Sequence, residues 1–250
     1  MIYKALTLFN ALGERVLDNE ILNIRGIKIP NFFKTGVGIQ YEFCHQFVEL
    51  YEDFLLNPDG YFSYENEEVQ ISEDDIVIDC GGNMGLFAAY AATKGATVYC
   101  FEPCQSIRDN FLSKTKDLYG DKITIVPYAL GAVEGTETFL HTPNIGANHL
   151  AKYKVNTELP IIGSETVKVV TLDKFLEEHN IIPTIIKADV EGAEKDLLLG
   201  AKNIIRTVCP KMVISNYHTP RDIMHIQEIV AKINLNYNYI IRDNNSFFWI

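Results

Sequence analysis

The residues of this chain best suited to chemistry begin with Asp79, Gly81, Gly82, Asn83 and Gly85, followed by Glu102. The apolar run Ile76-Val77-Ile78 before them reads as a strand covered on both faces, as in a parallel sheet. The glycines let the chain turn sharply and bring bare backbone against a ligand. Leu86 to Thr93, rich in alanine, then starts a helix whose first amides face that ligand. Glu102 ends a second strand, at about the 20-residue distance from which an acid reaches a pair of ribose hydroxyls. The glycine spacing narrows the choice of nucleoside. A dinucleotide fingerprint needs glycine at its first, third and sixth positions. Counted from Gly81, the third and sixth are Asn83 and Leu86; counted from Gly82, they are Met84 and Phe87. Both registers fail, which disfavours an NAD-dependent oxidoreductase. What remains is Asp-x-Gly-x-Asn-x-Gly, with Asp79 expected to point a negative charge into the site. That charge would repel a pyrophosphate and suits the ammonium and sulfonium of S-adenosyl-L-methionine.

A second group of polar residues follows later strands: Asp189 and Glu191 after one, His218 after the next, with His149 in an intervening segment. Any of them could take a proton from a hydroxyl acceptor. Each also has a plainer role. Asp189 could hold the donor's ammonium or cap a helix. Glu191 and Glu194 fall in a first helical turn, where acids offset the macrodipole. His218 could be a solvated loop residue with a titration near ~6.5. Lys187 should share a side of the sheet with Asp189 and pair with it. Asp189 and Asn216, at neighbouring strand ends, are two oxygen ligands toward a Mg²⁺ site that needs about six, so no metal is expected.

The elements that must position these residues alternate from Asp75 onward. A helix is expected near Ile107 to Leu118, strands at Ile123 to Val126 and Ile185 to Val190, and a helix at Ala193 to Ile205. A strand at Met212 to Ser215 and a helix at Ile223 to Ile233 come next. Tyr239 to Ile241 and Phe247 to Trp249 close the chain as a hairpin. This order predicts an α/β, Rossmann-like, doubly wound and mostly parallel seven-stranded sheet with an antiparallel edge strand. Ligands in such sheets sit at the carboxyl ends of the strands beside the switch point. Residues 129–174 break the rhythm with two strands, Thr136 to Leu140 and Thr166 to Thr171, around the polar loop 144–149, and form a candidate substrate-binding insertion. Residues 1–72 read as an N-terminal helical extension, a cap or oligomer contact. It has two amphipathic helices separated by Gly26 to Pro30, and a short hairpin at Tyr61 to Ile71. Residues 73–250 are the ligand-binding domain.

The 250 residues have 47% hydrophobic and 22% charged content, the balance of a globular protein with a substantial core. A formal net charge of -11 and scattered lysines argue against a nucleic-acid backbone as partner. Five cysteines with no Cys-x-x-Cys pair suit a reducing cytoplasm. No stretch approaches ~20 uninterrupted apolar residues, and no secretory signal is legible.

The block Ile186-Lys187-Ala188-Asp189-Val190-Glu191-Gly192-Ala193-Glu194, with the Asp79 loop, Glu102-Pro103 and Thr171-Leu172-Asp173, resembles the FkbM-type methyltransferases over about residues 60–242. That resemblance implies a Rossmann-like enzyme moving the methyl of S-adenosylmethionine, mostly to hydroxyl oxygens of sugars, glycans, lipid-linked or secondary-metabolite acceptors. By it, Asp79 to Gly85 wrap the methionine portion, Glu102-Pro103 meet the ribose and Tyr128-Ala129-Leu130 border the adenine. The Asn/Asp-Pro-Pro-aromatic tetrad of many ring-nitrogen methylating enzymes is replaced by Asp189-Val190-Glu191-Gly192, which favours oxygen. Some relatives carry an acid where this chain has Ser215-Asn216-Tyr217-His218, so acceptor chemistry does not transfer directly. A protein or RNA acceptor, or a nucleoside-binding module without catalysis, are the other readings.

Overall fold

The computed structural model describes residues 20–24, 26–31, 64–153, 155, 158–219, 221–242 and 244–250. The central sheet is built from β3 (Ile76–Cys80), β4 (Thr97–Phe101), β5 (Ile123–Val126), β10 (Ile185–Ala188), β11 (Lys211–Ser215), β12 (Asn238–Arg242) and β13 (Asn245–Trp249). Its order is β12-β13-β11-β10-β3-β4-β5. All pairings are parallel except those of β13 with its two neighbours. The chain builds outward from β3 through β4 to β5, then returns to place β10 on the other side of β3. The switch point therefore lies between β3 and β10, whose tips carry Gly81 and Asp189.

Alternation along the strands feeds two cores. Val77, Val98 and Ile185 face α1 (Leu86–Thr93) and the helical run α2 (105–119), which is interrupted by a π-type stretch at Arg108–Leu112. Ile78, Ile186 and Met212 face the other layer. That layer holds α3 (Leu172–His179), α4 (Glu194–Gly200), α5 (Lys202–Thr207) and α6 (Asp222–Ile233). Helix α1 buries seven of its eight residues, which explains why its sequence is nearly all small or apolar: it has almost no solvated face. The single helix expected over 193–205 breaks at Ala201. Gly200 there comes so close to Gly131 that a Cβ would lie 2.1 Å from its carbonyl oxygen.

Residues 129–170 form a second sheet, β6 (Ala129–Leu130), β7 (Gly135–His141), β8 (His149–Leu150) and β9 (Gly163–Val170), in the order β6-β9-β7-β8. The expected insertion strands are present and longer than their apolar cores indicated. The N-terminal region differs from expectation. Its two helices fall on residues outside those described, as does the oligomer contact assigned to them. The segment taken as their separator is half of a hairpin, β1 (Ile21–Ile24) paired with β2 (Ile27–Pro30). Leu22, Ile27 and Ile29 are buried in the α1 core, and Tyr119 closes the contact by donating to the Lys28 carbonyl and accepting from its amide. Of the hairpin expected at 61–71, the described residues 64–71 contain no strand. No described helix is long and apolar enough to cross a membrane.

Candidate active site

The glycines of the loop after β3 pack closely against neighbouring segments. Gly81 has φ +88°, and a Cβ there would sit 1.9 Å from the Asp189 carbonyl oxygen. One on Gly82 would meet the Cys100 thiol at 2.1 Å, and one on Gly85 (φ +84°) would meet Leu112 at 2.7 Å. The glycines were expected to bring bare backbone against a ligand; their missing side chains also admit β10, β4 and α2. Their effect is to bring the Asp79 and Asp189 segments within backbone contact, with the Asp189 amide donating to the Cys80 carbonyl.

Asp79 itself is fully buried and does not present a free charge to the site. Register pairs it with Lys187 across β3 and β10, at 3.1 Å, and the Cys100 thiol donates to its other oxygen. Burial pushes the Asp79 carboxyl up, and the Lys187 ammonium opposes this. Lys187 was expected to pair with Asp189; its closest acid is Asp79. Its ammonium also donates to the Gly81 carbonyl and lies 5.1 Å from the Tyr64 ring centroid. The pair thus ties the loop to β10.

Glu102, at the tip of β4, accepts the Asn83 amide through one oxygen and the Cys104 amide through the other. Each carboxylate oxygen keeps a second lone pair, which fits a ribose diol. Burial raises its pKa to about 7 against these two amides. Asn83 adopts φ +45°, and its side-chain oxygen is buried without a hydrogen-bond partner among the described residues. An orphan acceptor beside a buried acid and the uncapped start of α1 suits a ligand carrying polar N–H or O–H groups. Pro103 is fixed because Arg108 donates to the Glu102 and Pro103 carbonyls. Ala129 lies just beyond β5, whose Val126 carbonyl accepts the Glu102 amide, and its side chain is buried.

Asp189, Glu191 and His218 converge. His218 Nε2 is 3.3 Å from Asp189 and 3.3 Å from Glu191, while Nδ1 is 3.0 Å from Glu194. His218 is 3% exposed, not a solvated loop residue. Burial works against its charge, but three carboxylates prevail and raise its pKa far above the ordinary value, so an imidazolium is held here. Asp189 also accepts from the Tyr64 and Tyr217 hydroxyls. Burial opposes its ionisation, yet His218, Lys187 and Tyr64 hold it well below the usual carboxylate range. Glu191 adopts φ +50° in the turn before α4, so it is not in the first helical turn; burial raises its pKa above 4.5. Glu194 does open α4, and its carboxylate accepts the Val190 amide.

Two further candidates lie elsewhere. His149 binds the Ala147 carbonyl within the insertion, and among the described residues no contact joins it to Asp189. Asn216 donates to Ser246 and is turned into the β11–β13 pairing rather than toward Asp189. Tyr64, Tyr217 and Glu194 are the site residues that sequence reasoning missed or assigned elsewhere. Glu194 stood in the 186–194 block and Tyr217 beside His218, whereas Tyr64 carried no local signal.

Residues 79–241 match the family described as the Methyltransferase FkbM domain. The chain belongs to that family. The expected FkbM resemblance is thereby established. It is 31% identical over 169 residues to hexuronic acid methyltransferase AglP of Haloferax volcanii, covering 66% of this chain and 65% of that protein. It is 24% identical to AMB antimetabolite synthetase AmbE of Pseudomonas aeruginosa, over 88% of this chain and 11% of that one. The FkbM methyltransferase structure from Methylobacillus flagellatus superposes with a TM-score of 0.55 at 22% identity, over 72% of this chain and 45% of that chain. The chain therefore spans less than two thirds of each of these relatives, and the structural likeness is one of fold.

Proposed function

We propose that this protein is an S-adenosylmethionine-dependent O-methyltransferase acting on a hydroxyl of a sugar or glycan. The observation that carries the reading is the meeting, at one switch point, of the Asn83–Glu102 loop with an ionised Asp189 flanked by Glu191. When bound, the donor supplies an electrophilic methyl on a sulfonium. Glu102 would accept the ribose hydroxyls, and the orphan Asn83 oxygen would accept a donor N–H or O–H. Asp189, kept anionic by His218, Lys187 and two tyrosines, contributes a fixed negative field toward the cation and holds the acceptor hydroxyl in line. Positioning of that kind is worth ~7–11 kcal/mol of barrier. Glu191 takes the hydroxyl proton: its carboxyl is less acidic than that of Asp189 and is partly exposed. His218, whose protonated form three carboxylates favour, orients the acids in this reading rather than serving as the base. The hexuronic acid acceptor in the name of the relative at 31% identity supports a sugar substrate.

Incubation with donor isotopically labelled in the methyl group, against a panel of hexoses, hexuronic acids and their glycosides, tests this. The expected product is an O-methyl sugar bearing the label. Labelling of nitrogen or of a protein or RNA acceptor, with the sugars untouched, would replace the sugar reading.

A further inference from the structure

Away from Asp189, the central sheet and the insertion sheet meet at three ligand-bearing side chains. Cys104 lies in the turn between β4 and α2, His141 is the last residue of β7, and Glu165 is in β9. The Cys104 thiol is 3.9 Å from His141 Nδ1, and His141 Nε2 is 3.4 Å from Glu165. One ligand atom from each lies within 4.8 Å of the other two. Tetrahedral zinc brings thiolate sulfur and imidazole nitrogen to about 3.6 Å, and imidazole nitrogen and carboxylate oxygen to about 3.4 Å, as follows from its bond lengths. The two short distances run to opposite nitrogens of the His141 ring, so the ion would take one of them, and a rotation of the partly exposed His141 and Glu165 side chains would draw the three ligand atoms in from within 4.8 Å.

We infer that Cys104, His141 and Glu165 form a zinc site joining the insertion to the donor-binding loop. A mixed thiolate, imidazole and carboxylate set selects a borderline-soft ion such as Zn²⁺ over Mg²⁺ or Ca²⁺, which prefer all-oxygen shells. Cys104 is fully buried at the floor, while His141 and Glu165 are 22% and 26% exposed. That partial exposure leaves His141 and Glu165 reachable from solvent, and a water would complete the fourth position. Supporting contacts are in place: the Gln105 amide donates to Glu165, Ser106 lies 3.2 Å from the thiol, and the Cys104 amide is held by Glu102. Binding releases the thiol proton to solvent. The site fixes the segment that carries Glu102, so it acts on donor binding through position rather than chemistry.

The test uses the full chain, stripped with chelator and titrated with Co²⁺ and then Zn²⁺. One equivalent of Co²⁺ should produce a near-ultraviolet thiolate charge-transfer band that Zn²⁺ displaces and that Cys104→Ser abolishes. Zn²⁺ should raise the melting temperature. Loss of a supporting contact alone costs 10–100-fold in metal affinity, so His141→Ala and Glu165→Gln should each lower Zn²⁺ affinity by at least ~100-fold. No thiolate band in wild type, or a band unchanged in Cys104→Ser, would overturn the site. Should the serine variant fail to fold, unchanged Zn²⁺ affinity in His141→Ala and Glu165→Gln overturns it equally.

Discussion

Replacing Lys187 by methionine is expected to cost the fold about 3–5 kcal/mol, the penalty for stranding one partner of a buried ion pair. Asp79 has no exposure and Lys187 almost none, so neither charge has water to fall back on. The cost should be largest at neutral pH. A buried aspartate without its lysine has a raised pKa, so its penalty grows as pH rises through that value and shrinks as acid protonates it. The double variant Lys187→Met/Asp79→Asn removes both charges and should recover most of the loss. Denaturant unfolding of the two single variants and the double gives the coupling directly. If the single lysine variant is as stable as wild type, Asp79 is solvated or neutral and the pair does not hold the loop.

Glu191→Gln is expected to lower turnover by ~10²–10⁴-fold with donor affinity unchanged, the range for losing a positioned base. The pH profile separates it from His218. A histidine with a raised folded pKa stays protonated through neutrality, and its stabilisation is full below the unfolded value near ~6.5 and is lost progressively as pH rises from there through the raised folded value. Wild-type kcat/KM should therefore show no rise through ~6.5, where a free histidine titrates. Its ascending limb should follow the Glu191 carboxyl, which burial pushes up from the ordinary carboxylate range, and vanish in Glu191→Gln. His218→Gln should perturb donor and acceptor affinity and stability as well as rate, because it leaves three carboxylates without their common cation. A rate that rises near ~6.5 in wild type and flattens in His218→Gln would restore histidine as the base and demote Glu191.

Much of this site was legible before the fold was known, for local reasons. Asp79 to Gly85 and Glu102 announce a strand, a tight turn, a helix and a strand tip within one short stretch. The tips of β3, β4 and β10 follow from apolar runs ending in acids. What was not legible depends on register and long-range closure. Lys187 meets Asp79 because β3 and β10 pair in parallel at a particular residue, and nothing within either strand says so. The glycines are close-approach positions as their types indicated, but at Gly81 the approaching protein group is the Asp189 carbonyl, more than a hundred residues away. His218 looked solvated because its own neighbours are polar; its burial comes from Glu191, Glu194 and Tyr217 closing over it. Tyr64 lies in a loop whose alternating pattern imitated a hairpin. The β1–β2 hairpin was hidden between two amphipathic stretches that read more strongly as helix.

Binding of S-adenosylmethionine at the switch-point loop is the step on which the proposed transfer depends. Calorimetric titration with S-adenosylmethionine, its demethylated product and NAD, on wild type and Glu102→Ala, tests it most directly. The expected result is micromolar binding of the first two, none of NAD, and a loss of about 1.5–3 kcal/mol in the variant, the range for hydrogen bonds to a charged group. Tight NAD binding with no response to the sulfonium, or full donor affinity in Glu102→Ala, would contradict the account.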